Sequence, residues 1–190
     1  MEEKFKEFGI DSTEDELNKL GGLSSHDTVL HFSKNKKLTN ERIREICSRK
    51  GAIIKELDSL IKPFWVLGCL KELKERGVLL YVVTGSIRSY AKKQIEKYFI
   101  DVFDDVISAS DVKKSKPHPD PYLKAWKYVG LDKDDCVIVE DAPLGVQSGK
   151  SAGFRVFAIT TTLSKEYLEN ADRVFESHKD LFNYLKSIID

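Results

Sequence analysis

The chain has 190 residues, 41% hydrophobic and 33% charged, with 31 basic and 31 acidic side chains and a formal net charge of zero. That length and composition suit one full globular domain or a domain with a small appendage, and exclude an electrostatic bias toward nucleic acid or an anionic membrane. No apolar run reaches the length of a membrane span, and the charged opening Met1-Glu-Glu-Lys-Phe-Lys-Glu7 does not have the form of a signal peptide.

Residues 1–62 read as wholly helical. Gly9 ends a first amphipathic segment, and Thr13-Glu-Asp-Glu16 is a capping box that opens a second. Gly21-Gly22 interrupts that segment, and Ser24-Ser-His-Asp27 has the form of a further helix N-terminus. From Asn40 to about Lys62, Ile43, Ile46, Cys47, Ile53, Ile54, Leu57 and Ile61 recur at helical spacing. This part is expected to form a small helical bundle.

At Pro63 the pattern changes. Phe64–Arg76 reads as a helix closed by Gly77, and Val78–Thr84 as a strand buried on both faces, followed by Thr84-Gly85-Ser86. Ser89–Phe99 reads as a helix and Val106–Ala109 as a short strand. The prolines of Lys113-Lys-Ser-Lys-Pro-His-Pro-Asp120 force an open loop. A helix over Pro121–Val129 leads to a second doubly buried strand, Cys136–Val139, which runs straight into Glu140 and Asp141. Strands at Phe154–Ile159 and Arg173–Phe175 and a closing helix at Lys179–Ile189 complete the pattern. Such alternation predicts an α/β fold on a parallel sheet, with a helical domain over 1–62 and an α/β core over 63–190.

Cys47, Cys69 and Cys136 are odd in number and lack Cys-x-x-Cys spacing. Buried thiols in a reduced, cytoplasmic protein are the expectation. His26 and His31 lie five apart, which is not the interval of a metal pair on one helix face.

The chemistry-bearing groups fall at strand ends. Thr84, Gly85 and Ser86 offer hydroxyl and backbone N–H donors where a helix begins, a natural anion site. Lys116 offers a cation from a loop stiffened by Pro117 and Pro119. Glu140 and Asp141 offer hard carboxylate oxygens at the carboxyl end of a strand, which suit Mg²⁺. Converging donors, a cation and a metal site are what phosphoryl transfer needs.

With these motifs in order, residues 63–160 resemble the core of the haloacid dehalogenase superfamily, in its branch of phosphatases and β-phosphoglucomutases. The resemblance implies a three-layer Rossmann-like core with a helical cap at residues 1–62. It implies that Thr84 hydrogen-bonds the phosphoryl group, that Lys116 balances charge, and that Glu140 and Asp141 hold Mg²⁺. It also makes Leu20-Gly-Gly-Leu-Ser-Ser-His-Asp27, with Ser24 and Ser25, a cap loop that touches substrate. Ser86 and Arg88 are further candidates for substrate contact. Ser25 stands where the mutases carry an arginine for a distal phosphate, and serine cannot replace a bidentate guanidinium. Hydrolysis of a small phosphorylated metabolite is therefore expected over a mutase reaction.

The family's first motif, a strand followed by Asp-x-Asp, has no counterpart in the 190 residues. Asp101-Val-Phe-Asp104 follows a helix and fits the approach to the strand at Val106. Without the attacking carboxylate, the remaining groups are expected to bind phosphate and Mg²⁺ without forming an aspartyl-phosphate. The resemblance places the missing strand between those of Val78–Val83 and Cys136–Val139, and open backbone there should be answered by another segment. Upstream residues of a longer phosphatase, a rearranged segment, or a strand exchanged within a homo-oligomer are the candidates. The alternatives to a phosphatase are a relative that binds phosphate ligands or a partner without turnover, and a structural role.

Overall fold

The computed structural model describes residues 12–33, 38–57 and 64–189. The expected helix ending at Gly9 and the end of the helix near Lys62 lie outside the described residues.

Three helices come first: α1 (Glu14–Lys19), α2 (Ser25–Phe32) and α3 (Asn40–Leu57). The α1 capping box forms as the sequence predicts. Thr13 N–H donates to the Glu16 carboxylate at 2.9 Å, and the Thr13 hydroxyl accepts from Glu16 N–H at 3.2 Å. Ser24 caps α2, its hydroxyl accepting from Asp27 N–H at 3.1 Å. The three helices share their own apolar cluster of Val29, Ile43 and Ile46, with Leu17, Phe32 and Cys47 packed against it.

The rest alternates strand and helix: α4 (Phe64–Glu75), β1 (Tyr81–Val83), α5 (Arg88–Tyr98), β2 (Asp105–Ile107), α6 (Asp120–Val129), β3 (Val137–Glu140), α7 (Pro143–Ser151), β4 (Arg155–Ile159), β5 (Arg173–Phe175) and α8 (His178–Ser187). Gly77 takes a φ of +82° just beyond α4, a conformation that suits a residue without Cβ. Every strand pairing is parallel. Helices cover both faces of the strands. Tyr122, Ile138, Val146 and Val156 form one cluster with α6 and α7, and Leu73, Phe157, Leu181 and Leu185 form the other with α4 and α8. This is the α/β architecture expected from the alternation. No helix among the described residues is long and apolar enough to cross a membrane.

The strands fall into two groups, β1–β2 and β3–β4–β5, and no pairing joins β1 to β3. Among the described residues, the break lies where the family resemblance places a further strand. It also corrects two expectations of full burial. All three residues of β1 are only half-buried, and Leu79 and Val139 are each 44% exposed. An apolar run reports what a strand can bury. Whether a neighbour covers it is a matter of tertiary structure.

Candidate active site

The strand ends deliver the site. Thr84 follows β1, its N–H donating to Ile107 C=O at 2.9 Å and its hydroxyl accepting from Ser86 N–H at 3.1 Å. That bond fixes the turn at the start of α5. Gly85 admits a close backbone neighbour, since a Cβ there would lie 3.0 Å from Gly22 O and 3.2 Å from Leu23 O. Gly22, at φ +97°, sits equally close to Gly145 N, and Leu144 N–H donates to Gly21 C=O at 3.1 Å. The loop before α2 is thereby seated on the turns that follow β1 and β3.

Lys116 reaches the centre from the loop before α6 and is 5% exposed. Its Nζ donates to Val83 C=O at 3.0 Å and to the Glu140 carboxylate, with which it forms an ion pair. The same Glu140 oxygen accepts from the Tyr122 hydroxyl. The ammonium also lies 5.0 Å from the centre of the Tyr122 ring. Burial, and then the charge of Glu140, push the Tyr122 hydroxyl well above its ordinary pKa, so it remains a proton donor. Glu140 ends β3 and is 8% exposed. A Cβ at Gly145 would collide with its carboxylate.

Asp141 is more open, and its carboxylate accepts from the Thr161 and Thr162 hydroxyls at 3.2 and 3.0 Å. Asp27 ties the helical part to the Lys116 loop, accepting from Ser24 Oγ at 2.7 Å and from Ser115 Oγ. Burial works against ionisation of Asp27, but the Ser115 and Ser24 hydroxyls outweigh it and hold the carboxyl below its ordinary range.

A cavity of about 1040 Å³ opens between these elements, with Ser24, Ser25 and Arg44 on one wall and Gly85, Ser86 and Lys116 on the other. That volume accommodates a small metabolite. Thr84 is not among the residues that line it. Arg88, expected to contact substrate, is directed elsewhere. Its guanidinium donates to Val106 C=O and Asp111 at 2.9 Å and to Asp105 at 3.1 Å, bracing α5 against β2.

Among the described residues, no three His, Cys, Asp or Glu side chains gather as a self-sufficient metal site. The adjacent Glu140 and Asp141 still fit Mg²⁺, which takes one or two protein carboxylates and fills its remaining positions with water and phosphate oxygens. Sequence reasoning missed Tyr122, the Asp27–Ser115 link and the two threonines on Asp141. Each is a contact across the fold, and none carried a local signal except the position of Ser115 beside Lys116.

Residues 1–159 match the haloacid dehalogenase-like hydrolase family. The chain is 30% identical over 172 residues to Glycerol-1-phosphate phosphohydrolase 1 of Saccharomyces cerevisiae, covering 84% of this chain and 67% of that relative. It is 31% identical over 154 residues to Pyrophosphatase PpaX of Halalkalibacterium halodurans, covering 78% of this chain and 72% of the relative. Its fold superposes on the β-phosphoglucomutase of Clostridium difficile with a TM-score of 0.83 at 22% identity, over 99% of this chain and 86% of that structure.

Proposed function

This chain belongs to the haloacid dehalogenase-like hydrolases, and we propose on that premise that its site binds the phosphoryl group of a small phosphomonoester for Mg²⁺-dependent hydrolysis. The observation that carries the reading is the buried Lys116, clamped between Val83 C=O and Glu140 beside the Thr84–Ser86 turn. Its ammonium is a fixed positive charge at the mouth of the strands, where it would stabilise a phosphoryl group as well as Glu140.

In this reading the Gly85 N–H and the Ser86 hydroxyl, which line the cavity, orient the phosphoryl oxygens, Thr84 fixes the turn that presents them, and Lys116 balances their charge. Glu140 and Asp141 would hold Mg²⁺, which supplies charge neutralisation between carboxylate and phosphate. The organic part occupies the cavity against Ser24 and Ser25. Relatives named for a glycerol phosphate and a pyrophosphate support phosphate chemistry and leave the leaving group open.

Hydrolysis by the aspartyl-phosphate route needs an acid that can attack phosphorus. Among the described residues, the acids nearest the turn are already engaged: Glu140 by Lys116 and Tyr122, Asp141 by Thr161 and Thr162, and Asp27 by two serines. That favours a second reading for residues 12–189 taken alone, phosphate binding without turnover.

Calorimetric titration with inorganic phosphate in the presence of Mg²⁺ tests the site. The expected result is saturable one-to-one binding, weakened tenfold or more in Lys116→Met. Equal affinity in wild type and a folded Lys116→Met variant would overturn the reading.

A further inference from the structure

The cavity of about 1040 Å³ reaches from the Gly85–Ser86 turn to α3, and its charge is one-sided. Over the whole chain, basic and acidic side chains are equal in number, at 31 each. Among the residues that line the cavity, Arg44, Lys113, Lys114 and Lys116 are set against one acid, Asp27. Lys116 is committed to Glu140, and Asp27 is held by Ser24 and Ser115. No acid among the described residues pairs with Arg44, Lys113 or Lys114. The helix dictates where Arg44 stands. Arg44, Cys47, Ser48 and Gly51 recur at intervals of three and four, so they share one face of α3, and all four line the cavity. Ile43 and Ile46 turn instead to the apolar cluster with Val29, and Arg42 and Arg49 reach Glu45. The side chains beside Arg44 on its face are small, and a Cβ at Gly51 would meet nothing within 4 Å. A guanidinium with open room beside it presents its fork to a carboxylate or phosphate.

We infer that the substrate carries a second anionic group besides its phosphoryl group, a carboxylate or a further phosphoryl, and that Arg44 selects it. Lys113 and Lys114, on the loop that brings in Lys116, add their field to the same cavity. This inference rests on the phosphate reading above and narrows its substrate class. Ser24 and Ser25 meet the leaving group with neutral hydroxyls, so its charge is met from α3 and the lysine loop. Like charges gathered on a concave wall repel one another, and an anion between them relieves that repulsion. A leaving group without charge would leave the three cations unanswered.

Three phosphonates that share a three-methylene chain test the assignment. Butylphosphonate ends in a methyl group, 4-phosphonobutyrate in a carboxylate, and propane-1,3-bisphosphonate in a second phosphonate. None contains a phosphate ester, so calorimetric titration with Mg²⁺ in excess reads binding without turnover. The expected result is that one of the two doubly anionic probes binds about tenfold or more tightly than butylphosphonate. Which of them gains identifies the group as carboxylate or phosphoryl. Arg44→Met should bring the three probes to the same affinity, and Arg44→Lys should restore part of the preference, which a merely structural role would not do. The preference should also shrink as salt is added. Equal binding of all three probes by the wild type, or a full preference in Arg44→Met, would overturn the assignment. In either case butylphosphonate binding that Lys116→Met weakens would leave the phosphate reading standing. No binding of any probe would overturn both.

Discussion

The ion pair between Lys116 and Glu140 spans the open centre of the strands. Glu140 ends β3, and the lysine that bonds it also holds Val83 C=O at the end of β1. A single ammonium thus joins the two sheets at the same end where the phosphate donors stand, so binding and architecture depend on one residue.

Both partners are buried, so removing one strands the charge of the other. Lys116→Met should cost about 3–5 kcal/mol of unfolding free energy. Adding Glu140→Gln should recover part of that loss, because no uncompensated charge remains. Urea denaturation of the single and double variants measures both quantities. A single variant as stable as wild type would mean that the pair is not closed in solution.

Gly145 leaves room for the Glu140 carboxylate. Gly145→Ala should destabilise the fold by about 1–3 kcal/mol through overpacking. It should also weaken phosphate binding, since Glu140 can no longer hold Lys116 in place. Thermal unfolding together with phosphate titration separates the two effects.

The sequence made the ends of the strands legible. Thr84, Glu140 and Asp141 stand out because each ends or follows an apolar run, and Lys116 because it lies in a proline-stiffened loop, and such local signals survive without tertiary information. The capping box at Thr13 and the helix stop at Gly77 were legible for the same reason. The docking of Gly21 and Gly22 on Gly85 and Gly145 was not, because it is an approach of backbone to backbone that side-chain chemistry does not announce. Tyr122 escaped because its role depends on where its hydroxyl ends, against Glu140. The engagement of Arg88 is not legible either, because the two carboxylates that claim it, Asp105 and Asp111, lie 17 and 23 residues away in sequence.

Asp27 should make stability depend on acid pH. Its folded pKa is lowered by hydroxyl donors, so its stabilising contribution is complete above the unfolded value of about 3.9 and is lost as pH falls through the folded value. Asp27→Asn should therefore be less stable than wild type at pH 7, with the difference shrinking toward pH 3. Paired urea titrations across that range check the sign. A difference that grows on acidification would contradict it.

Asp141 is the more open carboxylate of the pair. Asp141→Asn should weaken Mg²⁺ binding about tenfold or more, a change of ~1.4 kcal/mol or greater, while leaving the fold intact because its partners are two exposed threonine hydroxyls. Magnesium titration followed by calorimetry reads the change, with circular dichroism as the control for folding.

The most direct measurement is a crystal structure of the protein soaked with magnesium and inorganic phosphate. The account predicts phosphate density within hydrogen-bond distance of the Thr84–Ser86 turn and Lys116 Nζ, with magnesium on Asp141. Phosphate found only elsewhere, with the Thr84–Lys116 site empty at saturating concentration, would contradict it.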